Sequence, residues 1–407
     1  MLNTIISNIS KYKIVYATDL PGYKNSADII CNKFSEAFGV SLPVFADNEI
    51  EASENEILIG RTNRAFSAKC YSDEGAARLM TYETFINGNN IQLACGGPHS
   101  AKIGGIALVN ALAKEEGLCE DDLAWRDLTT ESVLHTDGTD VRIMSINVLG
   151  ECYIKDKHNG KHPCSAERAE ILAKILVDYA PDLVGVQEMD VKFHAPMQCY
   201  FEILKQHYAM EYSITLTHHL EKTNDCPIIY RSDKYTLDYK NFVPARYPLE
   251  ARYETMYPCG VASTKFTSIN APALELALIS NHWHWEKEAK AIDPPRQQID
   301  AEDLASTVKY LEAEYPGVHV FSTGDFNSHR FGEKYFYQYV NEIDGAVAST
   351  VAKQNGVLTP GLIHMGYLID HIVGRKDTFD VLLHSITLNH SDTLTDHIPI
   401  FADIKFI

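Results

Sequence analysis

Short apolar runs alternate with stretches of helical spacing along the whole chain, which predicts an α/β protein. Lys13 to Tyr16 reads as a strand, and residues 82–86 and 91–95 read as two strands joined by an Asn-Gly hairpin turn. Residues 26–38 carry apolar side chains at helical spacing, and a second helix is predicted from Ala101 to about Glu116. The beginning of the chain is therefore predicted to fold as a small α/β domain.

The best candidate for a domain boundary is the polar stretch from Thr129 to Asp140, which contains an Asp-Gly pair. We predict a small accessory domain over residues 1–130, a linker over 131–140 and a second domain over 141–407. Two domains suit the length of the chain, since 407 residues exceed the size at which single cores usually split.

After this boundary the pattern changes to strong strands that end in polar residues. Val141 to Asn147 alternates and ends in an amide, and the buried run after Pro181 ends in Gln187-Glu188. Residues 165–179 have helical spacing between the two strands. Because such strands lie side by side in a sheet, we expect oxygen ligands from Asn147 and Glu188 to meet at one edge.

A further strand, Val318 to Phe321, leads into Gly324-Asp325-Phe326-Asn327. A carboxylate and an amide two residues apart share one face of a strand, which suits metal-assisted chemistry on a phosphoester. The same tetrapeptide is also an ordinary turn, because Gly, Asp and Asn tolerate tight backbone conformations. On its own it identifies no site.

The order of these polar motifs resembles that of the endonuclease/exonuclease/phosphatase superfamily, over residues 140–407. The family's fold implies a four-layer α/β/β/α sandwich of two mixed sheets, preceded here by the smaller α/β domain. The residues that carry the resemblance are Asn147, Gln187-Glu188, Asn281-His282, Gly324 to Asn327, Ile369-Asp370-His371 and Thr395 to Pro399, together with Cys226 to Arg231 and Arg296-Gln297.

The resemblance implies a divalent metal ion. Glu188, Asn147 and Asp396 offer hard oxygen ligands, which suit Mg²⁺, with Mn²⁺ as a substitute. The sequence contains no Cys-x-x-Cys pair and no set of soft ligands, so zinc is disfavoured.

The resemblance also implies the catalytic roles. Asp325 and Asn327 are expected to orient or deprotonate the attacking water and to hold a phosphoryl oxygen. His397, steered by Asp370, is expected to act as a base or electrostatically, and His282 to hold a phosphoryl oxygen or protonate the leaving group. Asn147, His282 and Asn327 are the expected substrate contacts. One position departs from the family, which usually has Asn where this chain has Ser280.

The first domain carries a looser resemblance. Glu56 to Arg64, with Gly96-Gly97 and Gly104-Gly105, resembles the small α/β domain in front of some glycoside hydrolase catalytic domains. The resemblance implies an accessory role, with a glycan or a protein surface as the partner, and no catalytic group. Residues 137–407 alone are then expected to retain hydrolysis. The glycine pair before Pro98 is either a plain turn or a cradle for an anion.

Charge narrows the class of substrate. The formal net charge is −19, and Asp and Glu outnumber Lys and Arg both before and after residue 135. Avid binding of duplex DNA depends on many basic contacts to phosphates, so strong duplex binding is not expected.

No apolar run approaches the ~20 residues that span a bilayer. The first residues lack a signal-peptide pattern, and the compartment stays open between cytoplasmic and exported.

The leading hypothesis is therefore a Mg²⁺-dependent hydrolase that cleaves a phosphodiester by in-line attack of an activated water. Its substrate is expected to be a small molecule, a lipid headgroup or a nucleic-acid end. One alternative is a nuclease that acts on DNA or RNA. An alternative of another class is a catalytically silent protein that binds a carbohydrate or a partner.

Overall fold

The computed structural model describes residues 5, 7–71, 78–114, 120–124, 126–128, 132–150, 162–215, 226–244, 260–285, 295–328, 333–348, 369–387 and 394–407. They form a mixed α/β structure with three six-stranded sheets. The chain divides into two compact units. The first comprises residues 1–130, 163–174 and 195–200, and the second comprises residues 131–162, 175–194 and 201–407.

The first unit is built on one sheet in the order β2-β1-β3-β5-β4-β6, in which β1, β2, β3 and β5 run parallel. The strands are β1 (Lys13–Tyr16), β2 (Val44–Ala46), β3 (Glu56–Ile59), β4 (Thr81–Asn87), β5 (Asn90–Cys95) and β6 (Arg126–Asp127). The helices are α1 (Tyr23–Phe38), α2 (Ala65–Cys70), α3 (Pro98–Leu112) and α4 (Glu120–Leu123). Helices α5 (Ser165–Tyr179) and α6 (Val191–Tyr208) contribute residues to both units.

The predicted strands and the hairpin of this unit are present, but both helices begin earlier than expected. Helix α1 starts at Tyr23 and α3 starts at Pro98. Proline suits the first position of a helix because its missing N–H has no intrahelical partner there. The glycine pair that precedes Pro98 therefore leads directly into the start of α3.

The start of α3 does cradle an anion, and the anion belongs to the protein. Glu170 is fully buried, and one of its oxygens accepts hydrogen bonds from the backbone N–H groups of His99 and Ser100 at 2.8 and 3.2 Å. The other accepts from Met80 N at 2.9 Å and from Ser100 Oγ at 2.7 Å. The positive end of the helix and these four donors compensate the buried carboxylate. The sequence favours a plain turn over a cradle at this glycine pair, whereas the structure forms the cradle and fills it with a side chain about 70 residues away.

Replacing Glu170 with alanine is expected to lower the free energy of unfolding by about 3–5 kcal/mol. Three buried backbone N–H groups would lose their acceptor, and each unsatisfied donor costs roughly 1–3 kcal/mol. Urea denaturation followed by circular dichroism measures the change. The control is Glu36→Ala, which removes an exposed carboxylate paired with Lys33 on α1 and should change stability by no more than about 0.5 kcal/mol. Equal effects of the two substitutions would show that the Glu170 cradle contributes nothing.

The first unit includes residues 163–174 and 195–200, which differs from the sequence-based boundary in two helical segments. Glu170 lies in the first of these segments, and its hydrogen-bond donors lie in residues 80–100. A chain that starts at residue 137 would lack these donors. That residues 137–407 alone retain hydrolysis stays a prediction.

The second unit contains two sheets, in the orders β17-β18-β7-β8-β10-β9 and β11-β12-β13-β14-β16-β15. Its strands are β7 (Val141–Asn147), β8 (Leu183–Gln187), β9 (Tyr212–Thr215), β10 (Ile228–Arg231), β11 (Tyr235–Pro244), β12 (Gly260–Ser268), β13 (Glu275–His282), β14 (His319–Asp325), β15 (Gly345–Val347), β16 (Asp370–Arg375), β17 (Phe379–Ile386) and β18 (Ile400–Phe406). Helices α7 (Arg296–Glu314) and α8 (Glu333–Glu342) follow β13 and β14 along the chain.

The two sheets face each other across one hydrophobic core. Ile143 of β7 and Leu183 of β8 pack in the same cluster as Leu278 of β13 and Phe321 of β14. The opposite face of the second sheet packs on α7 and α8, in a cluster that includes Ile279 and Leu304. This arrangement confirms the predicted α/β sandwich of mixed sheets. None of the helices in the described part of the chain is long and apolar enough to cross a membrane.

Candidate active site

Polar residues from both sheets meet where the central strands end. Asn147 ends β7, and the parallel pairing of β7 with β8 places Asn147 opposite Gln187, next to Glu188. In the other sheet, His282 at the end of β13 pairs with Asp325 at the end of β14. Asp325 also pairs with Asp370 at the start of β16, because that strand runs antiparallel.

Glu188 is fixed by hydrogen bonds to both of its carboxylate oxygens. Asn147 Nδ2 donates to Oε1 at 3.0 Å, and Gly150 N donates to Oε2 at 2.8 Å. The backbone of Glu188 has a φ of 60°, a left-handed conformation that is costly outside glycine and is often found at functional sites. The side chain is 12% exposed, so it is only partly buried.

Asp325 lies at the centre of the cluster. Its Oδ2 is 3.3 Å from Asn147 Nδ2, 3.6 Å from His282 Nε2 and 3.7 Å from His397 Nε2. Its Oδ1 accepts a hydrogen bond from Asn327 N at 2.9 Å. Burial raises the pKa of Asp325 to about 6, although the neighbouring His397 opposes the rise. One oxygen is therefore held by the backbone, and the other faces the remaining site residues.

His397 and Asp370 form a close buried pair, with Nδ1 2.8 Å from Asp370 Oδ2. Burial alone lowers the pKa of His397, but the carboxylates of Asp370 and Asp325 outweigh it and raise the pKa to about 10. The imidazole is then protonated at neutral pH. A protonated imidazole can stabilise negative charge nearby, but it cannot accept a proton.

The remaining predicted residues lie at the margin of the cluster. His397 Nε2 is 4.0 Å from Asp396 Oδ1, which places Asp396 beside the histidine. Glu188 Oε1 is 3.9 Å from His282 Nε2. Asn327 donates from Nδ2 to Trp283 O at 2.7 Å, so its amide is used to hold the backbone after β13. The structure thus brings the eight predicted residues into one network of contacts around Asn147, Asp325 and His397, which Asn327 joins through its backbone N–H. The roles of these residues remain predictions.

The sequence reasoning missed a link between the two sheets directly behind the site. Ser280 Oγ donates to Val186 O at 2.9 Å and accepts from Gln187 Nε2 at 3.1 Å. The two sheets approach each other closely here. A β-carbon added at Gly185 would collide with Thr323 Oγ1, so only glycine fits at this position. The short Ser280 side chain thus ties the strand that ends in His282 to the strand that leads to Glu188. The signal in the sequence was the departure from the family's usual residue.

The oxygen ligands of this cluster fit a hard divalent cation. Within the described residues, no group of three or more His, Cys, Asp and Glu side chains is arranged so that it could hold a metal ion by itself. Mg²⁺ in proteins is usually held by one or two carboxylates together with substrate phosphate and water. Glu188, with two ordered oxygens and partial exposure, meets this requirement, and Asp396 is the second candidate carboxylate. The Asn147 amide oxygen accepts a hydrogen bond from Leu149 N at 3.0 Å, which occupies one of its two lone pairs.

Comparisons with solved structures find the same architecture. An endonuclease/exonuclease/phosphatase from Bacteroides vulgatus is similar, with a TM-score of 0.50 and 19% sequence identity over 66% of this chain and 100% of that chain. The human Nocturnin catalytic domain has a TM-score of 0.49 and 14% identity over 67% and 96% of the two chains. Truncated Caenorhabditis elegans TDP2 has a TM-score of 0.46 and 16% identity over 66% and 98%. No protein-family model matches the sequence, and a search of curated proteins finds no match. At 19% identity the likeness to the Bacteroides vulgatus structure shows the fold alone.

Proposed function

Since the chain has the endonuclease/exonuclease/phosphatase fold, we propose that it is a metal-dependent phosphoesterase whose site is the cluster around Asp325. The observation that carries the proposal is the meeting of Glu188, Asn147, His282 and Asp325 at the strand ends of two facing sheets. Two carboxylates and two protonatable imidazoles, with His282 within 4 Å of both Glu188 and Asp325 and His397 within 4 Å of Asp325, suit hydrolysis of an anionic ester.

In this proposal Glu188 and Asp396 hold Mg²⁺, for which Mn²⁺ can substitute. Such an ion neutralises charge on the phosphoryl oxygens and aligns the groups for in-line displacement. Asn147 keeps Glu188 and Asp325 in place through its Nδ2 hydrogens. Its contribution is therefore to orient the two carboxylates.

The acid–base and electrostatic roles follow from which atoms face the cluster. Asp325 Oδ2 is the oxygen not held by Asn327 N, so it is the candidate to accept the proton of the attacking water. His397, held protonated by Asp370, would stabilise negative charge on a phosphoryl oxygen. His282, 12% exposed, is placed to contact the phosphoryl group or to protonate the leaving oxygen.

The proposed substrate is a phosphodiester of a small molecule, a lipid headgroup or a nucleic-acid end. A formal charge of −19 supports this choice over long duplex DNA. A glycan or a protein surface as the partner of the first unit has no support among the described residues and stays a prediction.

The hydrolysis of bis(p-nitrophenyl) phosphate and of p-nitrophenyl phosphate, each in Mg²⁺ and in Mn²⁺, tests the proposal. We expect release of p-nitrophenol from the diester at a higher rate than from the monoester. A panel of single-stranded and duplex DNA, phosphoinositides and lipid headgroups then assigns the substrate class. Failure of the folded protein to cleave any phosphoester in either metal would contradict the proposal.

A further inference from the structure

The first turn of α7 holds the two backbone segments that leave the candidate site. Gln297 is 1% exposed, and its Nε2 donates to His284 O at 2.7 Å and to Asn327 O at 3.0 Å. His284 follows β13 and its terminal His282, and Asn327 follows β14 and its terminal Asp325. One side-chain amide therefore bridges the continuations of the two strands that supply these site residues.

Further hydrogen bonds tie the same segments together. Asn327 Nδ2 donates to Trp283 O at 2.7 Å, and Trp283 N donates to Asp325 O at 2.9 Å. His284 N donates to Asp300 Oδ2 at 3.0 Å, one helical turn beyond Gln297. The segment after β13 is thus fixed both to the segment after β14 and to α7.

The backbone of Asn327 has an uncommon conformation. Its φ is 45°, in the left-handed region, which asparagine adopts more readily than most residues but which is less populated than the helical and extended regions. The same residue supplies the N–H that holds Asp325 Oδ1 at 2.9 Å. Gln297 holds the carbonyl oxygen of the same residue, Asn327 O. The bridge therefore restricts the backbone conformation that sets the direction of this N–H.

The chemistry of the bridge requires a primary amide. An Nε2 group has two hydrogens, and each is directed at one carbonyl oxygen. Glutamate has the same shape but, when ionised, only accepts hydrogen bonds, and methionine has a similar length with no donor. Either replacement leaves two buried carbonyl groups without this partner.

We infer that Gln297 is a positioning residue for hydrolysis, which orients Asp325 through the left-handed backbone of Asn327. The inference rests on the proposed function, since it assigns Gln297 a role in that reaction. Gln297 is not expected to touch the substrate. Its loss should therefore lower kcat, because misplacing a catalytic group by about 1 Å costs up to ~100-fold in rate, and should leave KM nearly unchanged.

The test compares Gln297→Met with Gln298→Met. Gln298, the next residue, donates to Glu302 Oε1 at 3.1 Å on the same helix, so its replacement is a matched control away from the two strand ends. With bis(p-nitrophenyl) phosphate as the probe, Gln297→Met is expected to lower kcat by roughly 10- to 100-fold with KM within about threefold. Gln298→Met should retain the wild-type kcat.

A double-mutant cycle separates positioning from general damage. If Gln297 acts by orienting Asp325, the variant Gln297→Met/Asp325→Asn should be within about threefold of Asp325→Asn alone, because the orientation of this side chain no longer matters once its carboxylate is removed. Multiplicative losses would overturn the inference, as would a wild-type kcat in folded Gln297→Met. If the methionine variant does not fold, Gln297→Glu takes its place in the cycle with the same expectations.

Hydrogen exchange measured by mass spectrometry distinguishes failure of the inference from failure of the proposed function. Gln297→Met should speed exchange in residues 282–285 and 326–328 while exchange in β7 stays unchanged. If the wild-type protein hydrolyses no phosphoester, the proposed function fails and the assigned role in catalysis falls with it. If hydrolysis is present but exchange and kcat are both unchanged in Gln297→Met, the positioning role alone is wrong.

Discussion

Glu188→Gln is expected to reduce phosphodiester hydrolysis to near the uncatalysed background, and to abolish the binding of Mn²⁺ measured by calorimetry. The substitution keeps the shape of the side chain but removes the negative charge that would hold a divalent cation. The glutamine side chain also has only one acceptor oxygen, whereas the protein directs two donors, Asn147 Nδ2 and Gly150 N, at the two oxygens of Glu188. One donor therefore loses its acceptor, and the free energy of unfolding should fall by about 1–3 kcal/mol.

Because some loss of stability is expected, the activity must be compared at a temperature where the variant is folded by circular dichroism. Glu211→Gln is the matched control, since Glu211 is 45% exposed and pairs with Lys205 at the surface. It should retain both Mn²⁺ binding and the wild-type rate. A folded Glu188→Gln protein with a wild-type rate would remove Glu188 from the site.

Asp325→Asn and His397→Gln are each expected to lower kcat by at least ~100-fold, the scale of a positioned acid–base or electrostatic group. Asp325 Oδ2 faces Asn147, His282 and His397, so replacing this oxygen or its charge disturbs every neighbour at once. Glutamine is preferred to alanine at His397, because its neutral amide can still donate a hydrogen bond to the buried Asp370, whereas alanine leaves that carboxylate without a donor at this position. Steady-state kinetics on the diester measure both effects.

The His397→Gln substitution should also change how the free energy of unfolding depends on pH, measured in the presence of chelator. The pKa of His397 is raised to about 10 in the folded protein from the ordinary value of 6.5. The folded state therefore binds the proton more tightly than the unfolded state between these values. The stability that this charge contributes is fully present below pH 6.5 and is lost as the pH rises towards 10. The difference in unfolding free energy between wild type and His397→Gln should shrink over that range. A constant difference would show that the imidazole does not gain its charge from Asp370.

Much of the site was predictable because strand ends carry a strong sequence signal. Val141–Asn147 is an uninterrupted strand, and its polar last residue meets Glu188 as parallel pairing requires. Asp370 was also expected near His397, because the resemblance to the endonuclease/exonuclease/phosphatase superfamily implies this pair. These inferences depend on local pattern and on motif order, both of which are visible in one sequence.

Other features depend on contacts between distant segments, which local pattern does not encode. Glu170 appears in the sequence as an ordinary helical carboxylate, and only the fold places it at the start of α3. Ser280 appears as a departure from the family, while the structure gives it the bond that joins the two sheets. The sequence places Gln297 at the start of a helix. Its bridge to His284 O and Asn327 O, however, depends on the relative positions of α7, β13 and β14.

The most direct test of the central claim is a metal-depletion and add-back experiment on the wild-type protein. The rate of bis(p-nitrophenyl) phosphate hydrolysis is measured before chelation, after removal of divalent ions, and after titration with Mg²⁺. The proposal predicts loss of the rate on chelation and its full return with Mg²⁺, with no change in the circular dichroism spectrum. An undiminished rate in excess chelator would contradict the assignment of a metal-dependent phosphoesterase.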